Sequence, residues 1–527
     1  MLNRIKNQIS SWTRHVLHSH VTPYTHPRQT WFHAAQAMGS RTGLTAASKD
    51  EKALIKLNYT LKIRKPIHIH HARAHRHSER EGCNQRQQHP IPALQDIRTQ
   101  GYNRLPIDPY KESLLYQVES ALGQKLGDHV AGALHTARSR IDQRATVGRM
   151  YYRRILLQVM DHICQFQEHL VEAAQEHSSI IIPYHTHMQQ AQPGNFAHYL
   201  LSFAAKLQED FERCQEAYNR VNRNPLGTVG RSGTGLKIDR ERTTQFLGFD
   251  SCVKHSLLGK DADFAADIVA ALSFVMYHLN DFATDLHLWS SNEFGFVQLP
   301  DTFCGTSSIF PQKRNPVTLE TIKLAAGPSV AWLSSTLATF RGCGTGDHRV
   351  HGIPSHLDQA LETTSDMLIL AGLVASEVQV NDARVKQVLG ESWSTTSNLA
   401  DFLMQHRGLS IRQAHGVVAR LVRMCRETGL GKAQVTPDML EEASLISLGQ
   451  SIEMSEEDLH EALDPDSFVK TRTSAGSVGP AEVDSLTELA QDMLSDNRRW
   501  VMECRSKHLR AEKTLSEAIV AVLKDQS

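Results

Sequence analysis

The stretch GTSSIFPQKRNP (305–316) gathers two serines, Ser307 and Ser308, a lysine and an arginine, Lys313 and Arg314, and an asparagine, Asn315. A serine hydroxyl is a weak base until nearby positive charge stabilises its alkoxide. Lys313 supplies a full positive charge. Asn315 followed by Pro316 reads as an N-cap and a first-turn proline, so a helix is expected to start there. Its N–H groups and dipole favour an anion. The stretch therefore suits a substrate carboxylate, or a serine that must lose its proton. A polar loop that only caps a helix has the same composition.

Two further polar motifs accompany it. PYHTHMQQAQP (183–193) supplies His187, whose side chain titrates nearest neutrality, with Thr186, Gln189 and Gln192 beside it. It reads as a loop leading into a helix. Glu320, four residues into the helix expected after Asn315, could pair with a histidine from another element and raise its pKa. HTARSRIDQ (135–143) offers Arg138, Ser139, Arg140 and Asp142. Arginines grip carboxylates in bidentate fashion, and the same residues also make a salt-bridged helix start.

Long helices must position these motifs. Apolar residues recur at gaps of three and four in three series. The first runs Tyr152, Ile155, Val159, Ile163, Phe166, Leu170, Ala173. The second runs Phe196, Leu200, Phe203, Leu207, Phe211, Cys214, Tyr218, Val221. The third runs Ile268, Leu272, Val275, Leu279, Phe282, Leu286, Trp289. Each is a heptad-like seam. A helix of about 28 residues is roughly 42 Å long at ~1.5 Å per residue, so an extended all-α bundle is expected. After about residue 372 the pattern shifts to shorter helices, ending in amphipathic segments near Val483–Met493 and Ala511–Leu523.

Composition narrows the function classes. The 527 residues carry a formal net charge of zero, which excludes general attraction to nucleic acid or acidic membranes. Residues 1–100 hold 16 Lys+Arg against 5 Asp+Glu, and the remainder holds 41 against 52. The start, MLNRIKNQISSWTRHVLHSH, has the make-up of a mitochondrial transit segment, and also of a disordered basic tail or of an upstream region foreign to the gene product. HIHHARAHRH (68–77) lacks spaced cysteine or carboxylate partners, so no metal site is expected. The eight cysteines form no C-x-x-C pair and read as reduced thiols of an intracellular protein. FAADIVAALSFVMYHL, from Phe264, carries Asp267 and His278 and reads as a buried helix rather than a membrane span.

The three motifs, in this order, resemble the argininosuccinate lyase branch of the aspartase/fumarase superfamily. TSSIFPQKRNP resembles the superfamily signature G-S-S-x-M-P-x-K-x-N-P. HTARSRIDQ and HTHMQQAQP resemble that branch's H-T-G-R-S-R-N-D-Q and Y-T-H-L-Q-R-A-Q-P. NPLGTVGRSGTGLKIDRERTTQFLGF (224–249), LWSSNEFGFVQLPD (288–301), SNLADFLMQHRGLSIRQAHGVVARLV (397–422) and LDPDSFVKTRTSAGS (463–477) extend the likeness, which covers roughly 112–495. The resemblance implies an all-α fold. Residues 1–100 would be a basic region, 101–135 a remnant of an N-terminal helical domain, 136–372 the central bundle, and 373–527 a C-terminal helical domain.

It also implies a β-elimination that cleaves a C–N bond in an N-substituted aspartate and releases fumarate. Ser307 would be the general base. Lys313 and Asn315 would stabilise the aci-carboxylate. His187, oriented by Glu320, would handle the proton of the departing nitrogen. Thr186, Gln192, Ser139 and Arg140 would contact substrate. The implied partners are small molecules, with no metal or organic cofactor. In the family the motifs of one site come from three subunits, so a homotetramer with shared sites is implied. A cytoplasmic location is expected, with the mitochondrial matrix as the alternative.

The sequence also departs from the pattern. Ile141 stands where the branch has a substrate-contacting asparagine, and Ala137 replaces a glycine. Phe310 replaces methionine, and Pro328 interrupts the helix that follows. GCGTGDHRVHGIPSHLDQAL (342–361) replaces the Y-N-R-D-L-Q-x-D-K-like substrate-binding run. The elimination machinery is retained, while the amine-recognising parts differ. That leaves an argininosuccinate lyase with a divergent pocket, a related lyase acting on an analogue, or a non-catalytic paralogue with a structural role.

Overall fold

In the computed structural model, residues 90–100, 114–341 and 355–524 are described. The basic segment 1–89, its His-rich tract and much of the divergent run at 342–361 lie outside them.

Ser139 opens the architecture. Its side chain accepts from the N–H of Ile141, while Asp142 accepts from the N–H of Ser139, a reciprocal capping box. The helix it starts, Arg140–Glu176, runs 37 residues, about 56 Å at ~1.5 Å per residue. With Pro90–Gln100 as α1 and Leu114–Leu126 as α2, this helix is α3. Helices α4 (Phe196–Val221) and α6 (Phe264–Trp289) carry the other two seams, and the short α5 (Arg240–Leu247) lies between them. The seams are buried almost throughout, from Val159 and Ile163 to Leu207, Phe211, Leu279 and Phe282. Side chains of this size contribute about 1.5–3 kcal/mol each on full burial. That term holds the bundle together.

Helix α9 (Ser355–Glu377) packs against α3 and α6. Between α6 and α9 lie α7 (Val317–Ala326) and α8 (Trp332–Phe340), joined by a 3₁₀ turn over Gly327–Ala331. Pro328 accounts for that break, because it has no N–H to continue the α ladder. Helices α10 (Asp382–Glu391), α11 (Thr396–Arg407), α12 (Ile411–Glu427), α13 (Pro437–Leu448), α14 (Glu456–Leu463) and α15 (Pro465–Lys470) follow. Most of them surround a second core that includes Leu399, Leu403, Val417, Leu421, Leu440 and Leu459.

The end of the chain differs from expectation. The two amphipathic segments are one helix, α16 (Pro480–Lys524), 45 residues long. Its stripe returns to the bundle. Val483, Leu494 and Val501 join the main core, while Leu515 and Ile519 pack with Ile91, Leu94, Val118 and Leu122. Helix α6 lies inside the bundle, as the run from Phe264 suggested. Among the described residues no helix is long and apolar enough to cross a membrane.

Candidate active site

The second motif is a β-hairpin rather than a loop. Strand β1 (Ile181–Thr186) pairs antiparallel with β2 (Gln189–Asn195), with Thr186 opposite Gln189 and Pro183 opposite Pro193. The two-residue turn between them is His187–Met188, at φ 53° and 58°. Two positive φ values are the mark of a type I′ turn, the one whose twist matches a hairpin. Neither residue is glycine, so the turn is held against an intrinsic cost of about 1–2 kcal/mol per residue. The hairpin therefore presents Thr186, His187 and Gln192 to solvent on a stiff projection. Gln192 Nε2 donates to Ser397 Oγ at 3.3 Å, tying the hairpin to α11.

The third motif is a loop pinned at its base. Strand β3 (Gly305–Thr306) pairs with β4 (Arg314–Asn315), leaving residues 307–313 as the loop. Asn315 thus belongs to a strand pair. Pro316, not Asn315, occupies the N-cap position of α7, and no side chain caps that helix. The reason is local: the Gly305–Asn315 pairing keeps Asn315 extended, and a residue before proline favours that conformation. Arg314 donates to Asp301 Oδ1 at 2.8 Å and to the Leu299 carbonyl at 2.6 Å. Thr318 Oγ1 donates to the Phe303 carbonyl at 2.9 Å.

Within the loop, the Ser307 hydroxyl oxygen accepts from the N–H groups of Ile309 at 3.3 Å and Phe310 at 3.0 Å. Lys313 donates its N–H to the Phe310 carbonyl at 3.1 Å, and its side chain is exposed. Ser307 is half-buried at the root of the loop, and Ile309 and Phe310 stand exposed at its tip. Glu320 is exposed in the first turn of α7. One turn on, Lys323 Nζ lies 3.3 Å from His287 Nδ1. Burial and the Lys323 charge hold the His287 pKa below its ordinary value, with Glu320 opposing.

The first motif is a rigid helix start. Ser139 Oγ is an N-cap acceptor whose hydroxyl hydrogen stays available to donate. Asp142 is fully buried. Its Oδ1 takes the Ser139 N–H at 3.0 Å, and its Oδ2 takes the N–H groups of Gly227 at 3.0 Å and Val229 at 2.9 Å. Burial raises its pKa; those three bonds and the Arg138 charge act the other way. Burial also pushes the Arg138 guanidinium down to about 10, opposed by Glu119 and Asp142. The carboxylate of Asp142 thus registers the 227–229 segment against the turn carrying Ser139, Arg140 and Ile141. Its functional place was not evident from the sequence. The available signal was the S-x-x-D capping-box spacing.

Among the described residues, no hydrogen bond or ion pair links Ser307, Lys313 or Glu320 to Thr186 or His187. None of these residues is fully buried on the single chain. Among the described residues, no group of three His, Cys, Asp or Glu side chains is placed to hold a metal ion.

Known proteins resemble this chain in sequence and in fold. Residues 49–329 match the lyase family, and residues 393–470 match the argininosuccinate lyase C-terminal family. The argininosuccinate lyase of Methanothermobacter thermautotrophicus is 32% identical over 411 residues, spanning 78% of this chain and 88% of that protein. A crystal structure of EDDS lyase in complex with formate superposes with a TM-score of 0.79 at 25% identity, over 95% of this chain and 97% of that one. A variant of EDDS lyase with bound fumarate gives 0.77 at 25% identity, with the same coverage.

Proposed function

This chain belongs to the argininosuccinate lyase branch of the aspartase/fumarase superfamily and is a carbon–nitrogen lyase; we propose that it converts an N-substituted L-aspartate to fumarate and an amine by β-elimination, or runs the reverse addition. The observation that carries this reading is the Ser307 oxygen facing two backbone N–H groups in a loop that also holds Lys313.

Those N–H groups stabilise an alkoxide more than a hydroxyl, since a charge-assisted hydrogen bond is worth about 1.5–3 kcal/mol. Lys313 adds its full charge. The Ser307 alkoxide takes the proton from the carbon beside the substrate's side-chain carboxylate. The electron pair moves into that carboxylate, giving a dianionic aci-carboxylate held by Lys313 and Asn315. The pair then returns to form the carbon–carbon double bond as the C–N bond breaks. His187, ionically supported by Glu320, delivers the proton to the departing nitrogen. Thr186, Gln192, Ser139 and Arg140 hold the carboxylates. Ser139 can do so while capping α3, because capping uses its oxygen and substrate would use its hydrogen.

The substrate is argininosuccinate or an analogue. Ile141 favours an analogue. It stands in the first turn of α3, beside the proposed carboxylate contacts, and its side chain cannot hydrogen-bond, so a polar substrate group there would lose a partner. A non-catalytic paralogue would have no use for a serine, lysine and histidine retained together.

The active unit is a homotetramer in which three subunits complete each site. Two features support it. Among the described residues, Thr186, His187, Lys313 and Glu320 are exposed and no hydrogen bond or ion pair joins their side chains to one another. The bundle also leaves Phe274, Tyr277, Leu324, Val330 and Leu337 exposed, a large apolar area for a monomer. A cytoplasmic enzyme is proposed, with the mitochondrial matrix as the alternative.

The test is to incubate the purified protein with fumarate and a panel of amines, and separately with argininosuccinate, following fumarate by its ultraviolet absorbance. Turnover of argininosuccinate identifies it as a substrate. Addition of other amines alone points to an analogue. Silence on every substrate would sink the enzyme reading.

A further inference from the structure

The hairpin has an underside that the proposed chemistry does not use. Pairing shifts register between Pro183 and His185, so Tyr184 sits at a bulge and its ring turns under the hairpin. It lies flat on Gly194, where an added Cβ would come within 2.2 Å of the ring. The Tyr184 hydroxyl is 2.8 Å from His198 Nδ1 and 3.0 Å from the Asn195 carbonyl. His198 Nε2 is 3.0 Å from the carbonyl of Gly476.

A carbonyl only accepts, so Nε2 must carry the hydrogen. The single Tyr184 hydroxyl hydrogen is shared between the Asn195 carbonyl and, in the neutral ring, the Nδ1 lone pair. The result is a bonded chain from Tyr184 through His198 to Gly476, with the Tyr184 hydroxyl also tied to its own hairpin at Asn195. Both ends are anchored. Asn195 caps α4 by accepting from the His198 N–H at 3.1 Å and donates to the Ser178 carbonyl at 2.6 Å. The Gly476 N–H donates to Glu482 at 2.9 Å. The Ser477 hydroxyl donates to the Arg472 carbonyl at 2.8 Å, and the Arg472 guanidinium binds Asp401 at 2.9 Å and Asn398 at 2.5 Å.

We propose that Tyr184 and His198 are positioning residues: they form a strut through which the 472–477 turn and α11 set the place of the His187 turn. The proposal rests on the reading of His187 given above, and it assigns the C-terminal region a part in the reaction. Leverage makes the strut matter. His187 is three residues beyond Tyr184, about 10 Å at ~3.3 Å per residue. A tilt of roughly 6° at the bulge moves the tip by about 1 Å over that length. A misplacement of about 1 Å can cost on the order of 10²-fold in rate.

The test is steady-state kinetics on the full-length protein with a substrate from the amine panel, comparing wild type, Tyr184→Phe, His198→Ala, His187→Ala and the Tyr184→Phe/His187→Ala pair. Tyr184→Phe keeps the ring on Gly194 and removes only the hydroxyl, so it tests the strut if His198→Ala fails to fold. The expected result is a fall in kcat of about 10–100-fold for Tyr184→Phe and His198→Ala, with KM within about threefold. In the His187→Ala background, Tyr184→Phe should lower kcat no further, because it acts only through His187. Wild-type kcat in Tyr184→Phe, or the same fold loss in both backgrounds, would overturn the proposal. Full activity in His187→Ala would instead show that the reading of His187 itself is wrong.

Discussion

Ser139 and Ser307 make the same local bond. Each hydroxyl oxygen accepts a backbone N–H two residues ahead, from Ile141 in one case and Ile309 in the other. Their surroundings then diverge. Ser139 starts a 37-residue helix and is locked by the buried carboxylate of Asp142, whose negative charge opposes any alkoxide nearby. Ser307 sits in a seven-residue loop between two short strands, takes a second N–H from Phe310, and has Lys313 as the charged residue of its loop. A hydrogen bond to a serine oxygen does not make the serine reactive. On the reading proposed above, Lys313 in the Ser307 loop and the buried Asp142 at Ser139, itself faced by Arg138, separate a reactive oxygen from a capping one.

Substitutions can break this contrast. Ser307→Ala should show the largest effect, a loss of about 10³-fold in kcat, with unchanged melting temperature and oligomeric state. Fumarate absorbance and a thermal melt read both quantities, and retained turnover would move the general base to another residue. Lys313→Met should cost about 10²-fold in kcat with little change in stability, separating the charge from the loop geometry. Asp142→Ala should act in the opposite sense. It strands the N–H groups of Gly227 and Val229 and should destabilise by about 3 kcal/mol in a denaturant titration, with a raised KM. A normal denaturation midpoint would refute its structural role. Ser139→Ala should cost about 1 kcal/mol as a lost cap and raise KM, leaving kcat nearly intact. The smallest effect belongs to Met188→Gly. Relief of a left-handed residue worth about 1–2 kcal/mol, less the glycine entropy of about 0.5–1 kcal/mol, should raise stability by about 0.5 kcal/mol.

The bundle was legible because its signal is periodic and long. Each seam from Tyr152, Phe196 and Ile268 repeats over several turns, so chance spacing averages out. The hairpin was not legible. Its turn is His187–Met188 rather than Asn-Gly, its strands are rich in glutamine and proline, and a bulge at Tyr184 breaks the alternation. Asn315 misled for a related reason: the dipeptide before a helix suits a cap, yet pairing with Gly305 claims it for a strand. The last helix read as two because its buried stripe thins between Val501 and Ala511, where Cys504, Lys507 and His508 are only partly covered. Asp142 was hidden by distance, since its partners Gly227 and Val229 lie 85 and 87 residues away.

The cluster that joins Leu515 and Ile519 to Ile91 and Leu94 bears on synthesis. A ribosome adding ~5–20 residues per second needs roughly 20–80 s to travel from one partner to the other. Throughout that interval Val118, Leu122 and Phe246 cover only part of the face that Leu515 and Ile519 complete. A chaperone that holds nascent chains would find its target there, and an early stop codon that removed the last three turns would leave that part of the face open for the life of the protein.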